Sequence, residues 1–395
     1  MTRLRIGGIG RLWTPAGVTT GAAIHVEDGR VAWAGPAGGA EAPGGFDEEI
    51  DAAGALVTPG LIDAHTHPLY AGDRFAEIAA RSGGASYAEL AAAGGGIAST
   101  VAATRAAPAD RLTELARRRL AEWPRGGATT VEAKTGYHLD RAGELAAVRI
   151  LAGLDAAPGL PRLEVTFLAA HALPGEFAGD PDGYLRAAAG WSVEAAALGA
   201  RSVDVFCDEG YFSVGQARTL LTAGRAAGLV PRVHADELAR TGGALLAAEL
   251  GAGSADHLLR ITAGDARALA AAGVVATLCP LTALALGTVP PVAELRAAGA
   301  TIALGTDHNP GTSGLTSMAE VVGLAVHSLG LSVAEALRAA TAGGAAALRL
   351  TDRGTLAVGE WADLVVWDLD HEGGIAWALG GARPRAVLLA GRRLG

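Results

Sequence analysis

The sequence predicts an α/β chain built as a (β/α)8 TIM-like barrel with a small β-sandwich domain assembled from both termini. From about residue 60, short apolar runs alternate with helix-forming segments, the pattern of a parallel sheet buried on both faces. Eight such runs occur, which is a barrel's number. The two ends of the chain share a different texture of short strands separated by turn residues.

In order along the chain, the barrel strands are predicted at 61–67, 129–134, 163–171, 203–207, 229–234, 254–257, 274–278 and 301–305. Segments 109–123, 145–154 and 214–227, rich in Ala, Leu, Arg and Glu, supply helices between them. Near the N-terminus, pieces at 22–26 and 31–34 flank Glu27-Asp28-Gly29-Arg30, which has hairpin-turn character. Runs at 359–367 and 386–391 repeat that texture at the other end. The expected division is therefore 1–57 with 350–395 as one composite domain, and 58–349 as the barrel.

Composition removes several classes of function. Half of the 395 residues are hydrophobic and 18% are charged, as in a core-forming globular chain. A net charge of -9 with no basic stripe argues against nucleic-acid binding. An uncharged run of 26 residues, 268–293, has the length of a membrane span, but Gly273, Pro280, Gly287, Pro290 and Pro291 would interrupt it. The N-terminal MTRLRIGGIG lacks the apolar core of a signal peptide, and Cys207 and Cys279 form no disulfide framework, so a cytoplasmic chain without a membrane partner is expected.

The chemistry gathers at predicted strand ends. His65 and His67 are two residues apart, so both imidazoles point to one side of an extended chain and reach one ion. His234, His257 and Asp307 each close a later apolar run, at the barrel end where such enzymes place their catalytic groups. Neutral imidazoles with a carboxylate suit one divalent zinc or iron ion, with an open position for water. The fourth strand, 203–207, offers no lysine to bridge a second ion, which favours a mononuclear centre; Cys207, Asp208 and Glu209 are further ligand candidates near the mouth.

The run Pro59-Gly60-Leu61-Ile62-Asp63-Ala64-His65-Thr66-His67 resembles the first-strand motif of the amidohydrolase superfamily. Tyr70-Ala71-Gly72-Asp73-Arg74, Gly94-Gly95-Gly96-Ile97, Glu132-Ala133-Lys134-Thr135-Gly136-Tyr137, Phe167 to Pro174, His234-Ala235-Asp236-Glu237-Leu238 and Asp307-His308-Asn309-Pro310-Gly311-Thr312 follow in the order seen in the imidazolonepropionase family. That resemblance spans roughly 55–350 and implies hydrolytic opening of 4-imidazolone-5-propanoate to N-formimidoyl-L-glutamate. It implies His65, His67, His234 and Asp307 as metal ligands, Glu237 as ring contact and proton carrier, His257 beside the developing oxyanion, and a second role for Asp307 as base. A homodimer is implied by the family as well.

The substrate so implied is a carboxylate-bearing heterocycle, and a buried carboxylate is best met by a guanidinium, for which Arg74 is the candidate. Tyr137 and His171 are expected to hold the ring or carboxylate, with Tyr87 a weaker candidate; Asn309, Gly311 and Thr312 offer donors from a loop. His138 and His308 depart from the residue types expected at their positions, which leaves their effect on the pocket wall open. Two other functions remain in view: a hydrolase of a different small heterocycle, and a catalytically silent barrel scaffold.

Overall fold

The computed structural model describes residues 2–39, 45–84 and 94–394; Tyr87 lies outside the described residues. Five strands open the chain: β1 (Arg3–Thr14), β2 (Gly17–Glu27), β3 (Arg30–Pro36), β4 (Glu48–Asp51) and β5 (Leu56–Pro59). The predicted hairpin joins β2 to β3, with Asp28 and Gly29 both at positive φ (47° and 79°), as a tight turn matched to strand twist requires. No strand was predicted over β1, whose glycines disguise it and whose pairing with β2 is irregular between Ile6 and Ile9.

Eight parallel strands follow: β6 (Leu61–Asp63), β7 (Ala128–Lys134), β8 (Arg162–Ala170), β9 (Ser202–Cys207), β10 (Val230–Ala235), β11 (Ser254–His257), β12 (Val275–Leu278) and β13 (Ile302–Leu304). They pair in sequence order, so every predicted barrel strand is present, with the first ending at Asp63 rather than at His67. The uncharged run 268–293 resolves into the end of helix Ala263–Ala272, β12 and helix Pro280–Ala285. No helix among the described residues is long and apolar enough to cross a membrane.

Barrel closure depends on Asp63. Its carboxylate accepts from the backbone N–H and hydroxyl of Thr306 (2.9 and 2.6 Å) and from the Trp123 indole (2.7 Å), fastening β6 to the far end of β13. Burial pushes its pKa up to about 7 against these bonds. The chain beyond β6 then stays in register with the chain beyond β13 through His65 O to Asp307 N (2.9 Å) and His67 N to His308 O (2.8 Å). Gly305 makes this approach possible, because a Cβ there would lie 2.7 Å from the Cβ of His65.

The intervening helices bury one stripe each on the barrel. Helix Ala109–Leu120 turns Leu112, Leu115, Ala116 and Leu120 inward at helical spacing, and helix Val214–Ala226 begins in a capping box between Ser213 and Gln216. The last strands, β14 (Leu364–Trp367), β15 (Pro384–Leu389) and β16 (Arg392–Arg393), return to the N-terminal ones. Together they form one mixed sheet ordered β16-β15-β14-β5-β1-β2-β3, with β4 beside β1. Ile6, Ile24, Val57, Leu364 and Leu388 form its own apolar cluster, while Trp13, Val365 and Trp367 belong to the barrel core. Of residues 359–361, predicted as strand, Gly359 and Glu360 lie in a turn and bend, and Trp361 forms a single bridge to Arg30 before β14.

Candidate metal centre and substrate cavity

His65 and His67 lie just past β6, His234 is in β10, and Asp307 lies just past β13; all are buried. The Nε2 atoms of His67 and His234 are 3.4 Å apart, and Asp307 Oδ1 is 3.5 Å from the Nε2 of both His65 and His67. A tetrahedral ion with bonds of about 2.0–2.1 Å separates its ligands by roughly 3.3–3.5 Å. These three separations match that spacing, and the ligand atoms of His65, His67 and His234 all lie within 4.8 Å of one another. His65 Nε2 has no hydrogen-bond partner among the described residues, a costly state for a buried nitrogen unless an ion uses its lone pair. Burial and neighbouring cations hold His65 and His67 well below the ordinary imidazole pKa, in the neutral form that ligates.

Carboxylates face the outward imidazole nitrogens, as a hydrogen bond at His65 and as a close approach without hydrogen-bond geometry at His234. His65 Nδ1 is 2.6 Å from Asp256 Oδ2, and His234 Nδ1 is 3.0 Å from Asp204 Oδ2. Such partners fix ring orientation and direct Nε2 to the metal. His67 differs, for its ring stacks on His171 at 4.9 Å and 17°. The sequence analysis missed Asp204 and Asp256, together with Glu132, Lys134 and Arg232 around them, all completely buried. Charged residues inside otherwise apolar strands were the available signal, since a buried charge is rarer and more informative than a buried leucine.

His257 ends β11 with φ 72°, Asp307 has φ 49° and Asp236 has φ 51°. For residues with side chains, the left-handed region costs about 1–3 kcal/mol each and persists where surrounding structure enforces it. Asp236 enforces it after β10 by accepting from the N–H groups of Thr241, Gly242 and Ala244. Asp208 accepts from the N–H groups of Glu237, Leu238 and Ala239, which aims Glu237 into the mouth. Asp208 is thus a loop brace, Glu209 is exposed, and Cys207 is a buried apolar neighbour; none joins the ligand cluster. The cysteine that does approach the histidines is Cys279, within 4.8 Å of ligand atoms of His65 and His257, which the sequence analysis did not place there.

Above these residues lies a cavity that opens to solvent. Arg74, Tyr137, His171, Glu237, His257, Asn309 and Thr312 line it, so most of the predicted substrate residues face the metal ligands across one space. Phe206, Ile97 and Leu286 add apolar walls that were not predicted. Gly311 stands against Arg74 instead, where a Cβ would come within 2.4 Å of Nη1. Asn309 directs its amide to its own loop, bonding Asp307 O and Thr312 Oγ1 and accepting from the N–H groups of Gly311 and Thr312. His138 and His308 are absent from the cavity wall; His308 packs behind it, between Tyr70 and Leu315 O.

Burial, then Asp307 and Asp208, raises the Glu237 carboxyl well above its ordinary pKa. His257 and His171 are both lowered to about 3, by burial first and His234 second. Arg74 is turned by Glu77, to which its Nε and Nη2 donate at 2.9 and 2.6 Å. The site thus offers a protonated carboxyl, neutral imidazoles and a guanidinium around a metal-binding set.

A family model described as the amidohydrolase family matches residues 68–393, beginning one residue after His67. An imidazolonepropionase from Salinispora arenicola is 44% identical over 98% of both chains. Another from Mycolicibacterium smegmatis is 42% identical over 99% of this chain and 97% of its own. Among solved structures, an adenosine deaminase from Xanthomonas campestris with bound zinc aligns with a TM-score of 0.74 and 21% identity over 99% of this chain and 92% of its own. A triazine hydrolase variant aligns with a TM-score of 0.73 and 19% identity over 100% and 95%. These two share the barrel fold.

Proposed function

The chain belongs to the imidazolonepropionase family of the amidohydrolases, and from that premise we propose that it hydrolyses the cyclic amide of 4-imidazolone-5-propanoate to N-formimidoyl-L-glutamate in histidine degradation. One observation carries the proposal: three clustered histidines, with Asp307 3.5 Å from two of them, border a cavity that also holds a buried carboxyl and a guanidinium.

His65, His67, His234 and Asp307 hold one divalent ion, zinc or iron, which supplies Lewis acidity and brings the acidity of water into the neutral range. Arg74 binds the propanoate, helped by the polar tips of Tyr137 and His171, while Thr312 lines the far wall and Asn309 and Gly311 shape the loop that carries it. Water oxygen adds to the ring carbonyl carbon, the carbon–nitrogen bond breaks, and the departing nitrogen takes a proton. Glu237 is the proton carrier, since its raised pKa keeps the carboxyl protonated when the nitrogen leaves. His257 lines the same space, has an unpartnered Nε2 and would donate to the developing oxyanion. Asp307, with Oδ2 held by Thr282 at 2.6 Å, is the base for the attacking water. A neutral heterocycle would have no use for Arg74, which sets this activity apart from hydrolysis of an uncharged base.

We further assign 1–57 with 350–395 to one composite domain, supported by the continuous mixed sheet, and 58–349 to the barrel. The two buried free cysteines support a cytoplasmic setting, the net charge of -9 supports the absence of a nucleic-acid partner, and the family supports a homodimer. Metal analysis paired with turnover of freshly generated imidazolone propanoate tests the function. Bound metal without ring opening would remove the substrate assignment and leave the metal centre standing.

A further inference from the structure

Beneath the metal ligands, the ammonium of Lys134 lies 2.7 Å from Asp204 Oδ2, 2.9 Å from Glu132 Oε1 and 3.6 Å from Asp256 Oδ2, and all four side chains are fully buried. Asp204 and Asp256 are the two carboxylates that meet the Nδ1 atoms of His234 and His65. One side chain thus touches both acceptors that orient imidazoles on the proposed ion. Arg232 also reaches Asp256, at 3.3 Å, and is tied to Ala64 O and Ala347 O. Asp204 has no arginine within salt-bridge distance among the described residues, so apart from His234 its cation is Lys134.

We propose that Lys134 is a positioning residue of the metal centre: its ammonium, placed between Asp204 and Asp256, fixes where both carboxylates stand against His234 and His65 and so sets how tightly the divalent ion is held. The proposal rests on the metal-binding role of His65, His67, His234 and Asp307. A buried carboxylate that loses the cation anchoring it is free to turn away from the imidazole it faces, and so orients that ring less well. Partners of ligating histidines ordinarily change metal affinity about 10–100-fold when altered. The pathway through Asp204 has no arginine in parallel, so that is where loss of Lys134 should act.

The test is metal retention against a chelator for the parent chain, Lys134→Met, Asp204→Asn and the double variant, with thermal stability of each metal-free form. Lys134→Met should release zinc about 10–100-fold more readily than the parent. In the Asp204→Asn background the same change should cost less than about three-fold, the non-additivity of two residues acting through one contact. The visible bands of the cobalt-loaded form should also shift in Lys134→Met, which a packing defect remote from the ligands would leave in place. Retention within about three-fold of the parent, or equal costs in both backgrounds, would overturn the proposal. Should Lys134→Met fail to fold, Glu132→Gln/Lys134→Met removes one charge of each sign and takes its place in the cycle. A parent chain that binds no divalent ion would instead defeat the metal centre itself.

Discussion

Below the metal ligands, Glu132, Lys134, Asp204, Arg232 and Asp256 sit in regular strands, each within salt-bridge distance of an opposite charge. Above them, or in the case of Asp307 among them, Glu237, His257 and Asp307 sit at strand ends and on loops, with a raised carboxyl, an unpartnered imidazole nitrogen and two left-handed backbones. Both layers are buried, so burial alone does not separate them. What separates them is compensation: charges that stay in place are neutralised in place, while groups that exchange protons keep an environment that leaves one form unstable. Stability and reactivity are thereby housed a few ångströms apart without sharing side chains.

That contrast can be broken from either side. Glu237→Gln should lower kcat about 10²–10⁴-fold while metal content stays at the parent level, as expected of the proposed proton carrier that is not a proposed ligand. Loss of metal in that variant would place Glu237 with the lower layer. Asp256→Asn should do the reverse, weakening zinc retention about 10–100-fold with a much smaller fall in kcat at saturating metal; chelator competition and metal-supplemented assays read the two effects. For Arg74→Met, a rise in KM of about ten-fold or more is expected, from the loss of charged hydrogen bonds worth about 1.5–3 kcal/mol. A change confined to kcat would contradict a clamp on the propanoate.

The smallest effect concerns pH. His171 has a folded pKa of about 3, below the ordinary imidazole value, so between about 3 and 6.5 the folded chain binds fewer protons than the unfolded one. Stability therefore falls as pH drops through that window. His171→Asn should flatten the slope, as followed by thermal midpoints from pH 7 down to pH 4. An unchanged slope would show that His171 is not held neutral by the upper layer.

The same contrast explains what was legible in the sequence. His65, His67, His234, His257 and Asp307 announce themselves because a histidine or carboxylate after an apolar run marks a strand end, and barrel strand ends converge. The lower layer stayed hidden. Lys134 reads as the polar stop of β7 and Asp204 as a blemish in β9, and pairing between them spans 70 residues that local pattern cannot connect. Cys279 and the apolar walls Phe206, Ile97 and Leu286 were missed for a related reason, since an apolar residue near a site looks like any core residue. At the other end of the molecule, β1 was overlooked because Gly7, Gly8 and Gly10 weaken its strand character, although it connects β2 to β5, the strand that pairs with the C-terminal β14.

Gly305 coordinates nothing, yet it governs the ruler by which the ligands are spaced. Because its lone hydrogen lets the last barrel strand settle against the backbone of His65, the carboxylate of Asp307 comes within 3.5 Å of two imidazole nitrogens. A methyl group there would wedge the strands apart and enlarge the polyhedron, favouring an ion of larger radius and longer bonds over one that demands about 2.0–2.1 Å. If the proposed residues hold the ion, discrimination among cations by size would in this sense belong to the barrel seam, through backbone clearance at Gly305.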